Sequence, residues 1–393
     1  MMQSLFFVFF LLHLSVIVFN PRNLLIAEAL TAHSDITALK AFKASINASS
    51  ISTWSCLASW DFTAADPCAF PRRTHFICGV ACSADSSRIT QLTLDPAGYS
   101  GRLTPLVSHL TELTILDVAD NNFYGEIPSS ISSLVKLQSL TLRSNSFSGS
   151  LPPSISNFKS LQSLDISRNS LSGSLPNSMI SLSSLRRLDL SYNKLTGSLP
   201  RKLPYNLLEL ALKGNSLTGC ISKDSFDGLT QLEVVELSEN SFAGTLGEWF
   251  FLLPSLQQVD LANNNLTRVE IPKPGLAGGD LVAVELGYNK IDGYAPVTFA
   301  EYPSLSSLSM RYNRLRGRIP LEYSRSKSLR RLFLDGNFLI GRPPARLIAS
   351  DSQVAGSLGD NCLQGCPGNA NMCSPSQKPN SICKQAYGGK LRS

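Results

Sequence analysis

Asp117, Asp165, Asp189, Glu236, Asp260 and Glu285 each sit between two aliphatic residues in segments of similar length, so six carboxylates recur in one register along the chain. Paired carboxylates can do general acid and base chemistry, and two held roughly 5 Å apart would suit a retaining glycosidase. Asp165 and Asp189, one segment apart, are a pair that neighbouring strands would bring near that spacing. Such catalysis also needs an enclosure that raises the pKa of one partner, and an open row of acids supplies none. Other reactive groups are sparse. The four histidines are His13, His33, His75 and His109, all in the leader and the first segments. No nucleophile elbow, phosphate-cradling glycine loop, paired-histidine zinc helix or calcium loop occurs. The acids therefore read as ligand contacts or as solvated carboxylates, in a chain whose net charge is +6. No catalytic residue, cofactor or metal is expected.

A second recurrence holds them in register. Asn121, Asn145, Asn169, Asn193, Asn215, Asn240, Asn264, Asn289, Asn313 and Asn337 follow one another at 24, 24, 24, 22, 25, 24, 25, 24 and 24 residues. Each lies in a frame seen most cleanly as Leu161-x-x-Leu164-x-Ile166-x-x-Asn169-x-Leu171-x-Gly173-x-Leu175-Pro176, the frame of a leucine-rich repeat. One such segment cannot bury its own aliphatic edge, so stacking is obligatory. Stacking sets Leu140, Leu164 and Leu188 in one row and Leu142, Ile166 and Leu190 in the next. The asparagine amide is then placed to satisfy backbone groups that would otherwise be buried unpaired. The expected fold is an α/β solenoid, a right-handed superhelix of about eleven 24-residue coils over residues 89–344. Its first coil is degenerate, with Ala97 at the asparagine position and Tyr99 at the next leucine. Pro272, Pro274, Gly275, Gly278 and Gly279 predict a bulged loop within Val269 to Asp280.

In such a stack the leucines point inward and the residues between them point outward on the concave sheet. The column between the strand leucines reads Thr93, Asp117, Thr141, Asp165, Asp189, Ala211, Glu236, Asp260, Glu285, Ser309, Phe333, with six acidic residues and no basic one. The column just before each ladder asparagine includes Tyr192, Tyr288 and Tyr312, whose flat rings with hydroxyl tips suit peptide or sugar contacts, or ordinary packing. Basicity collects late, in Arg311, Arg314, Arg316, Arg318, Arg325, Lys327, Arg330, Arg331, Arg342 and Arg346. A positive end beside an acidic middle could engage de-esterified pectin, another anionic wall polysaccharide, or a protein partner. No nucleic-acid-reading motif accompanies it.

The ends carry different chemistry. Residues 1–29 read as a secretory signal: Leu5 to Phe19 is apolar apart from His13 and Ser15, and Ala27-Glu28-Ala29 is a small-x-small cleavage site. Eight of the nine cysteines flank the repeats, Cys56, Cys68, Cys78 and Cys82 in a cap over residues 30–88 and Cys362, Cys366, Cys373 and Cys383 in a cap and tail over 345–393. Two disulfides per cap suit an oxidising compartment, with three pairings open in each. Zinc is the rival reading of the short spacings Cys78-x-x-x-Cys82 and Cys362-x-x-x-Cys366, disfavoured by the lack of accompanying histidines. Cys220 has no obvious partner. Asp35 to Ile46 predicts a helix capped by Ser34 or Asp35, with Ile36, Leu39, Phe42 and Ile46 on its apolar stripe. Trp60 is expected in the same cap. Asn47 and Asn265 open N-glycosylation sequons.

The repeat frame resembles the plant-specific class of extracellular leucine-rich repeats. Asp35, Ala38-Leu39, Phe42-Lys43, Trp60, Asp66-Pro67-Cys68, Gly79-Val80 and Cys82 follow the order of the N-terminal cap of that class. The resemblance implies a second sheet laid down by the Gly-x-Ile/Leu-Pro segments. It also implies a secreted or cell-wall protein that binds a peptide, protein or polysaccharide through its concave face, in surface signalling or defence, with a membrane receptor kinase as one partner. Inhibition of a microbial polygalacturonase and a structural wall role are the alternatives it brings. Cys78 stands beside Gly79 where the cap of that class has a tryptophan, and Cys56 is an added upstream cysteine; the four-cysteine C-terminal cap, with Lys384-Gln385-Ala386-Tyr387-Gly388, departs from the inhibitor pattern.

Overall fold

The computed structural model describes residues 31–63, 66–69, 78–275, 279–367 and 371–388. The expected signal segment and His75 lie outside them. Thirteen strands form one sheet. Val80–Cys82 opens it antiparallel to Ile89–Thr93, and the remaining strands run parallel in chain order to Ala355–Ser357. Leu140, Leu164 and Leu188 are direct partners across it. These leucines and the Leu142, Ile166, Leu190 row are almost wholly excluded from water. Each such side chain contributes about 1.5–3 kcal/mol relative to exposure, which is what makes stacking favourable.

The asparagine ladder works through three backbone groups per coil. Asn193 Nδ2 donates to the carbonyls of Ile166 in the preceding coil (3.0 Å) and Leu190 in its own (3.1 Å), while Oδ1 accepts from the Leu171 N–H at 2.9 Å. The pattern holds from Asn121, which reaches Asp95 and takes the N–H groups of Gly98 and Tyr99, to Asn337. It then continues once more. Asn361, wholly buried, donates to Leu334 and Leu358 and accepts from Leu339. The stack thus runs one coil past the boundary expected at Pro344, and the C-terminal cap contains a further strand and a further ladder rung.

A second sheet of eight strands lies along the side, from Ser100–Gly101 to Asn265–Val269. Among the described residues it stops there, and only the strand pairs Asp292–Tyr294 with Arg314–Arg316 and Ile340–Gly341 with Cys362–Leu363 follow. Arg268 stands in place of the frame's glycine in that last strand; residues 276–278 of the expected loop lie outside the described ones. On the convex side the chain turns mainly through 3₁₀ segments rather than α-helix. Pro128, Pro152, Pro176, Pro296 and Pro320 sit at their N-terminal caps, where a missing N–H costs nothing. Ile131, Ile155, Met179, Phe299 and Tyr323 point inward from them.

The leading helix spans His33–Ala44, with Asp35, Ala38, Leu39 and Phe42 buried. Neither Ser34 nor Asp35 caps it; the N-cap residue is Ala32, with no side-chain hydrogen bond. Asp35 instead faces the first coil, where its carboxylate accepts from Arg88 Nε (3.1 Å) and Nη2 (3.0 Å) and from the Ile89 N–H (2.8 Å). Ile36 is only half-buried, whereas Ile46 is buried beyond the helix and bridges to Gly101. Trp60 is buried, donates to the Cys78 carbonyl and packs on Phe42. The disulfides are Cys56–Cys78 with Cys68–Cys82, and Cys362–Cys383 with Cys366–Cys373. Cys220 is free and exposed.

Candidate functional site

Every acid of the central column lies where the frame places it, with Asp165 beside Asp189 and Glu236, Asp260 and Glu285 in direct succession across the sheet. Most have a second duty that the sequence did not reveal. Asp117 accepts from the Ala119 N–H, Asp165 from the N–H and hydroxyl of Ser167, Asp189 from the Ser191 N–H, Asp260 from the Ala262 N–H and Glu285 from the Gly287 N–H. An acid two residues upstream of an exposed strand-end N–H ties that turn down, much as an Asx turn does. The pair Asp165 and Asp189 is thus engaged with backbone. A concave hollow of about 230 Å³ lies further along the sheet, lined by Glu236, Asp260 and Glu285 together with Gln258 and Ser307.

Charge in that hollow is only partly balanced. Lys213 Nζ stands 3.8 Å from Asp260 and 3.4 Å from Glu239. Among the described residues no lysine or arginine forms an ion pair with Glu236 or Glu285. Burial holds the carboxyls of Asp189, Glu236 and Glu285 above the usual range. At Glu236 the neighbouring Asp260, Glu209 and Asp189 add repulsion. Lys213 was missed in the sequence because it lies two places after the central column, in a position occupied by small residues in several other coils.

The column before the ladder asparagines has a conformational rule of its own. Asp120, Ser144, Arg168, Tyr192, Glu239, Asn263, Tyr288 and Tyr312 all have φ between 50° and 56°, in the left-handed region. Gly214 and Gly336 occupy the same column, and a Cβ at either would press on the ring of Tyr192 or Tyr312, respectively. Each ring therefore lies flat over the next coil's glycine. Tyr288 and Tyr312 stack with centroids 4.7 Å apart and planes 12° apart. Their exposures of 45% and 38% leave much of both rings open to contact. Tyr192 forms a separate platform under the Arg168 guanidinium, at 4.7 Å.

The ten basic residues do not make one patch. Arg311 pairs with Asp335, itself 1% exposed, at 2.9 Å and lies over Phe333 at 4.9 Å, closing the aromatic platform on its C-terminal side. Arg331 is exposed on the concave strand Arg331–Phe333. Arg314 and Arg316 stand on a lateral strand beside Asp292–Tyr294, and Arg318 packs next to Gly341. Arg330 folds onto the carbonyls of Lys327 and Leu329 near the end of the stack. Alternation along a strand separates faces that look contiguous in sequence. Asn47 is exposed and holds Ser100 through its N–H, while Asn265 is half-buried in the second sheet beside Ala243. No cluster of three or more histidine, cysteine or acidic side chains is arranged to hold a metal among the described residues.

Leucine-rich repeat family models match residues 112–134 and 135–195. Receptor like protein 27 of Arabidopsis thaliana is 35% identical over 96 residues, which is 24% of this chain and 12% of that one. The calmodulin-binding receptor kinase CaMRLK of Arabidopsis thaliana is 31% identical over 107 residues, 26% of this chain and 16% of its own. The matches thus span a small part of the relatives' length. Among solved structures, the PEPR1–AtPEP1 complex superposes with a TM-score of 0.72 at 29% identity, covering 85% of this chain and 45% of the other. The plant peptide hormone receptor RGFR1 in complex with RGF2 does so at 0.61 and 31%, covering 67% and 42%. Among the described residues no helix is long and apolar enough to cross a membrane. Repeat frame, family-model matches and structural neighbours agree on a leucine-rich repeat solenoid, similar to plant receptor-like proteins and to plant receptor ectodomains.

Proposed function

We propose that this protein binds a peptide along its concave face, and that the segment it recognises is basic with a flat side chain nearby. The observation that carries the reading is the juxtaposition, on successive coils, of an under-neutralised acidic hollow and an open tyrosine stack. Glu236, Asp260 and Glu285 would receive a lysine or arginine, and Tyr288 and Tyr312 would take a planar group against exposed ring. Arg311, fixed by Asp335, bounds the platform. The peptide complexes of the structural neighbours support a peptide ligand. The role is recognition without catalysis, outside the cell, with residues 1–29 directing secretion, Asn47 as the better glycan acceptor and a membrane receptor kinase as a downstream partner.

The acids make a pH test possible. Folding raises the carboxyl pKa values of Glu236 and Glu285, mainly through burial, so below the ordinary carboxylate range both states are protonated and folding bears no penalty. As pH rises through the raised values the folded form ionises at a cost, and stability falls. A cationic ligand reverses that cost, so affinity should grow over the same window. Calorimetric titration of the mature protein with peptides pairing arginine and tyrosine, against charge-reversed controls, measures this. Glu236→Gln with Glu285→Gln should weaken binding about tenfold or more and flatten its pH dependence, one charge contact being worth about 1.5–3 kcal/mol. Tyr288→Ala with Tyr312→Ala should weaken it comparably. Unchanged affinity in both double variants would sink the proposal.

A further inference from the structure

The last coil breaks the leucine frame at two inward positions. Gln353 stands where the preceding coils have Leu305 and Leu329, and Gly356 pairs with Leu332 across the sheet. Gly356 is required there, because its φ is +151° and a Cβ would collide with the Leu332 carbonyl. Beside these two residues lie hollows of about 440 Å³ and 540 Å³ that share Leu347, Ala349, Ser352, Gln353 and Val354, and so form one groove at the end of the stack. Buried Leu329 and Leu347 give it an aliphatic floor. Lys327, Arg330 and Arg346 stand around the first hollow with Asp351 as the acid among them. The Nη1 atom of Arg330 is held by the carbonyls of Lys327 (2.8 Å) and Leu329 (3.0 Å), which fixes the guanidinium beside the opening.

We infer that this groove receives an extended acidic segment of a protein partner, an aliphatic side chain on the Leu329 and Leu347 floor and a carboxylate among Lys327, Arg330 and Arg346. Three cations against one acid set the charge of the occupant, and charge-assisted contacts to guanidinium are the strong ones. The floor sets the rest. No aromatic ring lines the groove to stack a sugar, whereas aliphatic walls suit a leucine or valine side chain. The Cys366–Cys373 disulfide and the Leu358 N–H to Met372 carbonyl bond hold the cap in place behind it. The site is remote in sequence from the concave acids and does not rest on their role.

Fluorescence polarisation of a fluorescein-labelled Glu-Leu-Glu-Leu-Glu peptide with the purified disulfide-bonded protein tests it. Saturable binding is expected, absent for Lys-Leu-Lys-Leu-Lys, and weakened at least tenfold by Arg330→Ser with Arg346→Ser. Gln353→Leu restores the aliphatic side chain the frame calls for, which should pack inward over the Leu329 and Leu347 floor where the exposed glutamine does not, so it should weaken binding at least tenfold while the protein melts at the same or a higher temperature. Tyr288→Ala with Tyr312→Ala should leave the affinity unchanged. No saturation up to millimolar protein, equal affinity in the Gln353→Leu variant, or displacement by tetragalacturonate but not by unlabelled peptide would each overturn the inference, the last by assigning the cations to an oligosaccharide.

Discussion

Both ends of this solenoid must keep an apolar cross-section from water, and they do so with different chemistry. At the N-terminal end the aliphatic frame is complete, since Ile89 and Leu92 are fully buried, and Leu39, Phe42, Leu57 and Trp60 lie over it. A buried carboxylate, Asp35, then locks the covering helix to the first coil through Arg88. Two disulfides that interlace in sequence, Cys56–Cys78 and Cys68–Cys82, fasten this layer. At the C-terminal end the polar ladder is kept and the aliphatic frame is not. Asn361 is buried and fully bonded, while Gln353 and Gly356 replace two inward leucines. The disulfides there nest, Cys362–Cys383 around Cys366–Cys373, and Tyr387 bonds back to Gly317 and Phe338. An end sealed by apolar layers has no room for a guest; one held by polar anchors can stay open.

If that contrast is right, apolar truncation should hurt the first end most. Trp60→Ala removes a large ring that also holds the Cys78 carbonyl, and should destabilise by about 3–5 kcal/mol in denaturant unfolding. A loss no larger than that of a surface substitution would mean that the disulfides alone seal the cap. Arg88→Ala probes the charge lock. It leaves Asp35 buried with only the Ile89 N–H and the Ser34 hydroxyl, and should cost about 2–3 kcal/mol, less than a fully buried pair because Arg88 is itself partly exposed. Asn361→Leu tests the polar anchor of the other end. It strands the Leu339 N–H and the Leu334 carbonyl and should cost about 1–3 kcal/mol, the same range as Asn193→Leu in the middle of the stack. Equal costs at 193 and 361 would show that the last rung is a full member of the ladder; a negligible cost at 361 would detach the final coil from the cooperative unit.

The ladder and core were legible because each rung repeats one solution to one problem, the satisfaction of three backbone groups beside an aliphatic row. The last rung escaped notice because Gln353 and Gly356 erase the leucine spacing just ahead of it; the 24-residue step from Asn337 to Asn361 and the retained Leu358 were the available signals. The outward columns were placed correctly and only half understood. Nothing local marks Asp189 as a hydrogen-bond acceptor for Ser191, since any acid two residues before a turn looks solvated in sequence. The left-handed column was readable in principle, because Gly214 and Gly336 share it with three tyrosines. Disulfide pairing was not, as it follows from how irregular cap segments pack, and the late arginines were dispersed by strand alternation that a linear count ignores.

The smallest effect is the sharpest discriminator between the two ends. Ile89 and Gln353 stand at the same frame position in the first and last coils, one fully buried and the other exposed. If the open groove were merely an unfilled defect, Gln353→Leu should raise stability by about 1 kcal/mol through the burial of added apolar surface, with no functional consequence. If it is a built site, the same gain should come with loss of acidic-peptide binding. That combination is the stability-for-function exchange seen where a surface is kept open. Thermal melting and peptide titration of this one variant separate the two readings, because only the second couples them.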